Sequence, residues 1–400
     1  MMTNLVKLSP TKIAFLFPDC LTPLNSGVRV NSASILEYFR ARGLHVTLIS
    51  TYMHKPNSHV VQRYCDHLIE IPSILREPWW RALNRISNTG RNHAFSKDFL
   101  FRKLMRKRMW HALHSTHFDA IILNYVQFSE WIPSDLKSKT IVFTHDIYHR
   151  RWASLTGSTL DNPSVAIIKK IEYRELAKYP LILTVADYES EVLSQDFPID
   201  QILDVSAPQV VRGCHDHEPV YRFGFLGANA SPNSDGLVHF LEEWWPALRP
   251  SNLCVAGSVC NNQGVFKKVT EAGGTLEGFV DNLDDFYSNC RWILAPLRIG
   301  SGIKVKVLEA MSRGKVVVGT SKAFEGIPVT HGVDALILEK IKSPVMLSNT
   351  ILSIEQSPQK LKQMERKAVQ LIQEHYSLES RVDPLIERIK RGPPFASSVS

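Results

Sequence analysis

The sequence predicts an α/β protein built from two parallel-sheet domains that face a central cleft. Three observations carry this expectation. Short β-rich runs alternate with helical stretches. The alternation lapses in a Pro-, His- and charge-rich segment and then starts again. In the second series, one apolar strand runs straight into a glycine-rich turn and a helix. A chain of 400 residues has ample length for two hydrophobic cores, and its 44% hydrophobic and 22% charged content is ordinary for a globular protein.

In order, strands are expected at Lys12–Phe17, His45–Ser50, Ala120–Leu123, Thr140–Thr144 and Leu181–Val185. Helices are expected at Val30–Arg42, ending at Gly43, and from Val165 to Lys178. The second series has strands at Arg222–Leu226, Leu253–Ala256, Trp292–Ala295 and Val316–Gly319, with helices at Asp235–Leu248 and Ile303–Arg313. Polar helices close the chain at Pro344–Ile354, Pro358–His375 and Leu378–Lys390, and the tail GPPFASSVS is expected to be disordered. The segment DVSAPQVVRGCHDHEPV has no helical period and marks the boundary. This gives a first domain at 1–205 with an insert at about 76–117, a linker at 206–220, and a second domain at 221–375. Residues 376–400 are expected as a helix packing back toward the first domain, followed by the tail. Parallel sheets bind ligands at the carboxyl ends of their strands, which directs attention to the loops after Phe17, Thr144, Leu226, Ala256 and Ala295.

The loop after Ala295 carries the most chemistry. Gly300 and Gly302 allow close backbone approach, and the following helix aims unpaired N–H groups at whatever sits there. A helix N-terminus ordinarily favours Asp or Glu, yet Lys304 and Lys306 occupy the first turn and Arg298 lies just upstream. Such crowding has a physical reason if an anion belongs there. The spacing fits neither GxxxxGK[ST] nor GxGxxG, since Val305 stands at the third glycine. Glu309, two turns past Gly302, can accept two hydrogen bonds from a vicinal diol such as ribose. A plain glycine turn with solvated lysines is the alternative.

Several stretches resemble a known family. Gly278-Phe-Val-Asp281, the run from Trp292 through Arg298-Ile-Gly-Ser-Gly-Ile-Lys to Met311, Gly314–Thr320 and Glu325-Gly-Ile327 resemble the donor-binding half of GT-B glycosyltransferases, close to glycosyltransferase family 4. Phe225–Asn233 with Trp244-Trp-Pro246 fits a subgroup, and Lys12–Phe15, Pro23–Gly27 and Gly43–Val46 fit the family's opening strand, loop, helix and strand.

The resemblance implies a GT-B architecture of two Rossmann-like domains, and transfer of a sugar from a nucleotide-diphosphate sugar to a glycan, lipid-linked or other acceptor. It implies retention of configuration and no cofactor or metal. Glu309 matches the ribose-binding glutamate, Phe279 and Val280 the base-binding turn, and Gly27 the glycine loop that approaches the phosphates and sugar. Gly300 and Gly302, with Ser301 between them, form the turn expected to approach the donor, and His145 matches a histidine that reaches the donor sugar. The sequence departs from the pattern in two places. Ser301 stands where a sugar-contacting glutamate is common. Ala228 and Asp235 stand where an Arg and a Lys are common, while Arg298, Lys304 and Lys306 surround the glycine loop instead. The positive charge is thus expected to have moved from one side of the diphosphate to the other. Lys304 and Arg298 would stabilise the leaving phosphate, and His145 would contact the sugar or act as a base in an inverting reaction. A nucleotide-sugar epimerase or hydrolase of the same fold, or a non-catalytic membrane-docked binding protein, are the alternatives.

Metal sites at Cys214-His-Asp-His217, or at His145 with His149, lack a full ligand set. The six cysteines contain no CxxC pair, and no apolar run approaches a membrane span, so a reduced, cytoplasmic setting is expected. The formal charge of +8 concentrates between Arg76 and His114, where ten Lys/Arg meet two acids among Trp79, Trp80, Phe95, Phe99, Phe101 and Trp110. Such a segment suits peripheral contact with an anionic inner membrane face through Arg102, Lys103, Arg106 and Lys107, or else a solvated helical hairpin. No nucleic-acid motif accompanies the charge.

Overall fold

The computed structural model describes residues 10–22, 27–52, 61–72, 99–213, 218–300 and 303–395. The chain forms two compact units. The first holds residues 1–208 and 381–400, and the second holds 209–380.

In the first unit β1 (Lys12–Phe17), α1 (Gly27–Ala41), β2 (His45–Tyr52) and β3 (His67–Pro72) precede α2 (Phe99–His114). Then follow β4 (Ala120–Asn124), β5 (Thr140–Phe143), α3 (Tyr148–Thr156), α4 (Pro163–Leu176), β6 (Leu181–Thr184), α5 (Asp187–Leu193) and β7 (Ile202–Asp204). The second unit holds β8 (Tyr221–Leu226), α6 (Ser231–Glu243), β9 (Leu253–Ala256), α7 (Gln263–Glu271), β10 (Thr275–Gly278) and α8 (Leu283–Ser288). It continues with β11 (Cys290–Ala295), α9 (Val305–Ser312), β12 (Val316–Gly319), β13 (Ala335–Ile337), α10 (Pro344–Glu355) and α11 (Pro358–His375). The last helix is α12 (Leu378–Arg391), whose residues from Arg381 onward belong to the first unit.

Both sheets are parallel, with orders β3-β2-β1-β4-β5-β6-β7 and β10-β9-β8-β11-β12-β13. Their central strands read as mostly apolar runs because helices cover both faces, as in AIILN, TIVF and VVVG, every residue of which is buried. In each sheet the order reverses about the first strand, between β1 and β4 and between β8 and β11. Those are the switch points where crevices open at the strands' carboxyl ends.

Four strands were not among those expected. β3, β7, β10 and β13 are all outer strands, and β7 and β13 span three residues each, too short to show a pattern. The helix after β8 begins at Ser231, four residues earlier than expected, because Pro232 falls in its first turn, where a missing N–H costs nothing. The helix after β11 begins at Val305 instead of Ile303. Lys304 is its N-cap residue, in extended backbone geometry (φ −91°, ψ 91°).

Candidate functional site

At the switch point of the second unit, β8 ends at Leu226 and β11 at Ala295. The loop from Ala295 turns at Gly300 (φ 111°) and enters α9, whose first turn holds no acid. Ser301 and Gly302 lie outside the described residues. The loop is pinned from below: a Cβ on Gly236 of α6 would sit 2.3 Å from the Pro296 carbonyl oxygen, so only glycine lets the helix pack this closely.

The three expected cations have three different environments. Arg298 is half exposed, lies 3.7 Å from Asp235, and lines a cavity of ≈ 370 Å³ with His239, Trp244, Pro296, Thr320 and Lys342. Lys304 is largely buried and reaches Glu325 Oε2 at 3.5 Å; burial pulls its pKa down and Glu325 opposes this. Lys306 is the most deeply buried of the three, against the alternative of solvated lysines. Its Nζ donates to Asn233 Oδ1 (2.6 Å) and the Leu226 carbonyl (3.3 Å) and lies 4.5 Å from the centre of the Phe225 ring. Burial, with the neighbouring charge of Lys304, pushes its pKa down to about 7.

Glu309 lies one helical turn beyond Lys306. Its carboxylate lies 3.5 Å from the Tyr287 hydroxyl, whose single proton is shared between it and the Lys306 carbonyl at 3.3 Å. Burial raises the Glu309 pKa, while Arg313 and the Tyr287 hydrogen bond hold it down. Arg313 donates to the Glu309 carbonyl (3.0 Å) and to Asp284 (2.6 Å), so the glutamate's backbone is anchored while its carboxylate keeps acceptor capacity. Phe279 follows Gly278 (φ 71°) at the carboxyl end of β10 and is 85% exposed, with Val280 partly covered beside it. An aromatic left in water at a strand end is an available stacking face.

In the first unit, His145 follows β5 in the left-handed region (φ 60°), as does Tyr125 after β4 (φ 67°). Non-glycine residues adopt this conformation at a cost and gather at functional sites. Asn124 is fully buried; its Nδ2 donates to the Leu16 carbonyl (2.6 Å), which leaves Oδ1 to accept from His145 Nε2–H at 2.6 Å. The ring is packed on Phe143 (4.0 Å between centroids), and Nδ1 has no hydrogen-bond partner among the described residues. Burial alone drives the His145 pKa down to about 3, so the imidazole is neutral with a bare acceptor nitrogen.

His149, the expected companion of His145, is tied into the scaffold. Glu172, fully buried, accepts from the His149 ring (2.7 Å) and from the backbone N–H groups of Tyr148 and His149, capping α3. Asp146 pairs with Arg151 at 2.5 Å. Gly27 is the first residue of α1. The Cys214–His217 cluster and most of the basic insert lie outside the described residues. Sequence reasoning missed Asn124, Asn233 and Tyr287, whose roles arise from long-range contacts that no local pattern records.

Comparison with known proteins gives the class. Residues 221–356 match the family described as glycosyl transferases group 1. Among solved structures, TarM aligns with a TM-score of 0.64 at 10% identity over 94% of this chain and 98% of its own. Alr3699/HepE of Anabaena, solved in complex with UDP, aligns at 0.63 and 13% over 95% and 100%. The sucrose-phosphate synthase of Thermosynechococcus elongatus aligns at 0.62 and 14% over 95% and 98%. These likenesses are of fold. The fold is that of the GT-B glycosyltransferases, and the match to the group 1 glycosyl transferase family lies within the second unit. A curated relative, an uncharacterized 44.6 kDa protein in the cps region of Klebsiella pneumoniae, is 24% identical over 91% of this chain and 96% of its own.

Proposed function

We propose that the protein transfers a sugar from a nucleotide-diphosphate sugar to a glycan or lipid-linked acceptor, in polysaccharide or glycolipid synthesis. The observation that carries this is the first turn of α9. Two lysines and no acid occupy a helix N-terminus at the β8/β11 switch point, with the lightly bonded Glu309 carboxylate one turn on. The cps-region relative and the UDP complex of the Anabaena neighbour support the same direction.

In this reading Phe279 and Val280 carry the base and Glu309 the ribose hydroxyls. Gly300, Ser301 and Gly302 give the backbone room for the diphosphate, and Gly27 stands near the sugar. As the glycosidic C–O bond breaks, negative charge grows on the β-phosphate; Lys304, Arg298 and the α9 N-terminus stabilise it in place of a divalent metal. His145 is unsuited to be a general base, since its pKa of about 3 lies far from neutral. Its Nδ1, buried and without a hydrogen-bond partner among the described residues, would accept from a sugar hydroxyl brought against it. The leaving phosphate then takes the acceptor's proton, and configuration is retained.

A panel of nucleotide sugars scored by thermal stabilisation identifies the donor. Incubating that donor with and without candidate acceptors, with and without EDTA, then tests the reaction. Acceptor-dependent, EDTA-insensitive transfer with a retained anomeric signal by NMR is expected. Conversion without acceptor would replace this reading with epimerase or hydrolase chemistry. Lys304→Ala should lower kcat more than donor affinity; an equal loss in ground-state binding would remove it from leaving-group stabilisation.

No helix of the described residues is long and apolar enough to cross a membrane. We further propose peripheral contact through α2: Met105, Met109 and Leu113 enter the core, while Arg106, Lys107 and the 47%-exposed Trp110 face outward. Joint reversal of Arg102, Lys103, Arg106 and Lys107 should abolish co-sedimentation with anionic liposomes.

A further inference from the structure

Lys306 has no role in the chemistry above, yet its placement is unusual. The ammonium-bearing side chain ends at the switch point itself, on the carbonyl of the last residue of β8, between the first turns of α6 and α9. What surrounds it is neutral: the Phe225 ring and Leu226 carbonyl from β8, and the Asn233 amide from α6. Asn233 is itself held by donating to the Ala228 carbonyl at 2.9 Å. No carboxylate lies within ion-pair reach of Lys306 among the described residues. The nearest acid of α6 in sequence, Asp235, faces Arg298, and the charge that acts on Lys306 from its own helix is the like charge of Lys304. Buried charges in proteins are paired or neutralised. Here no pairing carboxylate is found among the described residues.

Resting on the donor-site reading above, we propose that Lys306 is the proton-linked cation of the donor site, neutral while the site is empty and protonated when a nucleoside diphosphate binds. The hydrogen-bond count agrees. A neutral amine has two N–H donors, and the two acceptors present, Asn233 Oδ1 and the Leu226 carbonyl, use both. Protonation creates a third N–H that meets no oxygen acceptor among the described residues, only the Phe225 ring face, and a phosphate oxygen supplies that acceptor. The burial that lowers the pKa of Lys306 toward 7 keeps the empty site free of an unpaired charge. A dianion beside it reverses the balance, since a nearby opposite charge favours the protonated form. Donor binding therefore takes up a proton from solvent, and affinity falls as pH rises above neutrality.

The test is calorimetric titration of the full-length protein with UDP, GDP and ADP at pH 8, in two buffers of different ionisation enthalpy. At that pH the diphosphate is fully ionised, so any proton taken up goes to the protein. For the nucleotide that binds, uptake of roughly one proton is expected from linkage. In Lys306→Met the uptake should vanish and affinity should drop by at least about tenfold, the effect of losing one charge-assisted hydrogen bond. Binding by the wild type without proton uptake overturns the inference and leaves the donor site standing. Uptake that persists in Lys306→Met also overturns it, and places the proton on another group, Lys304 first, whose pKa burial also lowers. Failure of all three nucleotides to bind overturns the donor-site reading, and the inference with it. The wild-type measurement decides the matter even if the variant does not fold.

Discussion

Glu309 and His145 show opposite uses of burial at single positions. The Glu309 carboxylate is held by one 3.5 Å hydrogen bond, so its remaining lone pairs are open to a diol. Glu309→Ala should weaken nucleotide binding roughly ten- to hundredfold, the worth of one or two hydrogen bonds to a charged group. Unchanged affinity by calorimetry would remove the ribose role. His145 instead has its Nε2 proton committed to Asn124 and its ring packed at a tilt against Phe143. Unfolded, it takes up a proton near 6.5; folded, only near 3. The unfolded state therefore binds more protons in that window, and stability falls as pH drops from 6.5 toward 3. Between pH 7 and pH 5 this amounts to roughly 2 kcal/mol. His145→Gln should show a correspondingly flatter acid limb in denaturant titrations; an identical pH dependence would mean that another group controls it.

At the scale of elements, the site depends on how closely α6 approaches the loop after β11. Gly236→Ala places a methyl 2.3 Å from the Pro296 carbonyl oxygen, and a backbone atom cannot rotate aside. The substitution improves helix propensity by about 1 kcal/mol, but overpacking should outweigh it, for a net loss of about 1–2 kcal/mol. Calorimetric melting and donor titration should both show the change, because the displaced loop is the one that carries Gly300. Loss of stability with intact donor binding would separate the packing from the site. This contact also marks the limit of what the sequence reveals. Apolar strands, the glycine turn and Glu309 were legible because each is a local pattern of period or spacing. The start of α9 was misplaced by two residues because its N-cap, Lys304, is not a capping residue type and makes no side-chain cap hydrogen bond. The burial of Lys306 was not legible, because nothing near it in sequence announces Phe225, Leu226 and Asn233 as its surroundings.

At the scale of the whole chain, the last helix returns to the first unit. Val382, Leu385, Ile386, Ile389 and Phe395 are all buried there, and Arg42 and Tyr38 of α1 both bond Asp383. Arg381 pairs with Asp204 at the end of β7 and lies 3.7 Å from Asp187. Burying five apolar side chains contributes roughly 8–15 kcal/mol, as much as a typical domain's entire margin. Deleting Arg381–Ser400 should therefore remove the unfolding transition of the first unit in scanning calorimetry while that of residues 209–380 survives. A milder variant isolates the ion pair. Burial raises the Asp204 pKa to about 7, helped by Asp187 and opposed by Arg381. The unfolded chain releases this proton near 3.8, so the folded state loses ground as pH rises through that interval. Arg381→Met removes the opposing charge and steepens the loss. Its melting temperature should fall further below wild type at pH 8 than at pH 5. An equal deficit at both values would mean that Arg381 holds the helix by packing and not by charge.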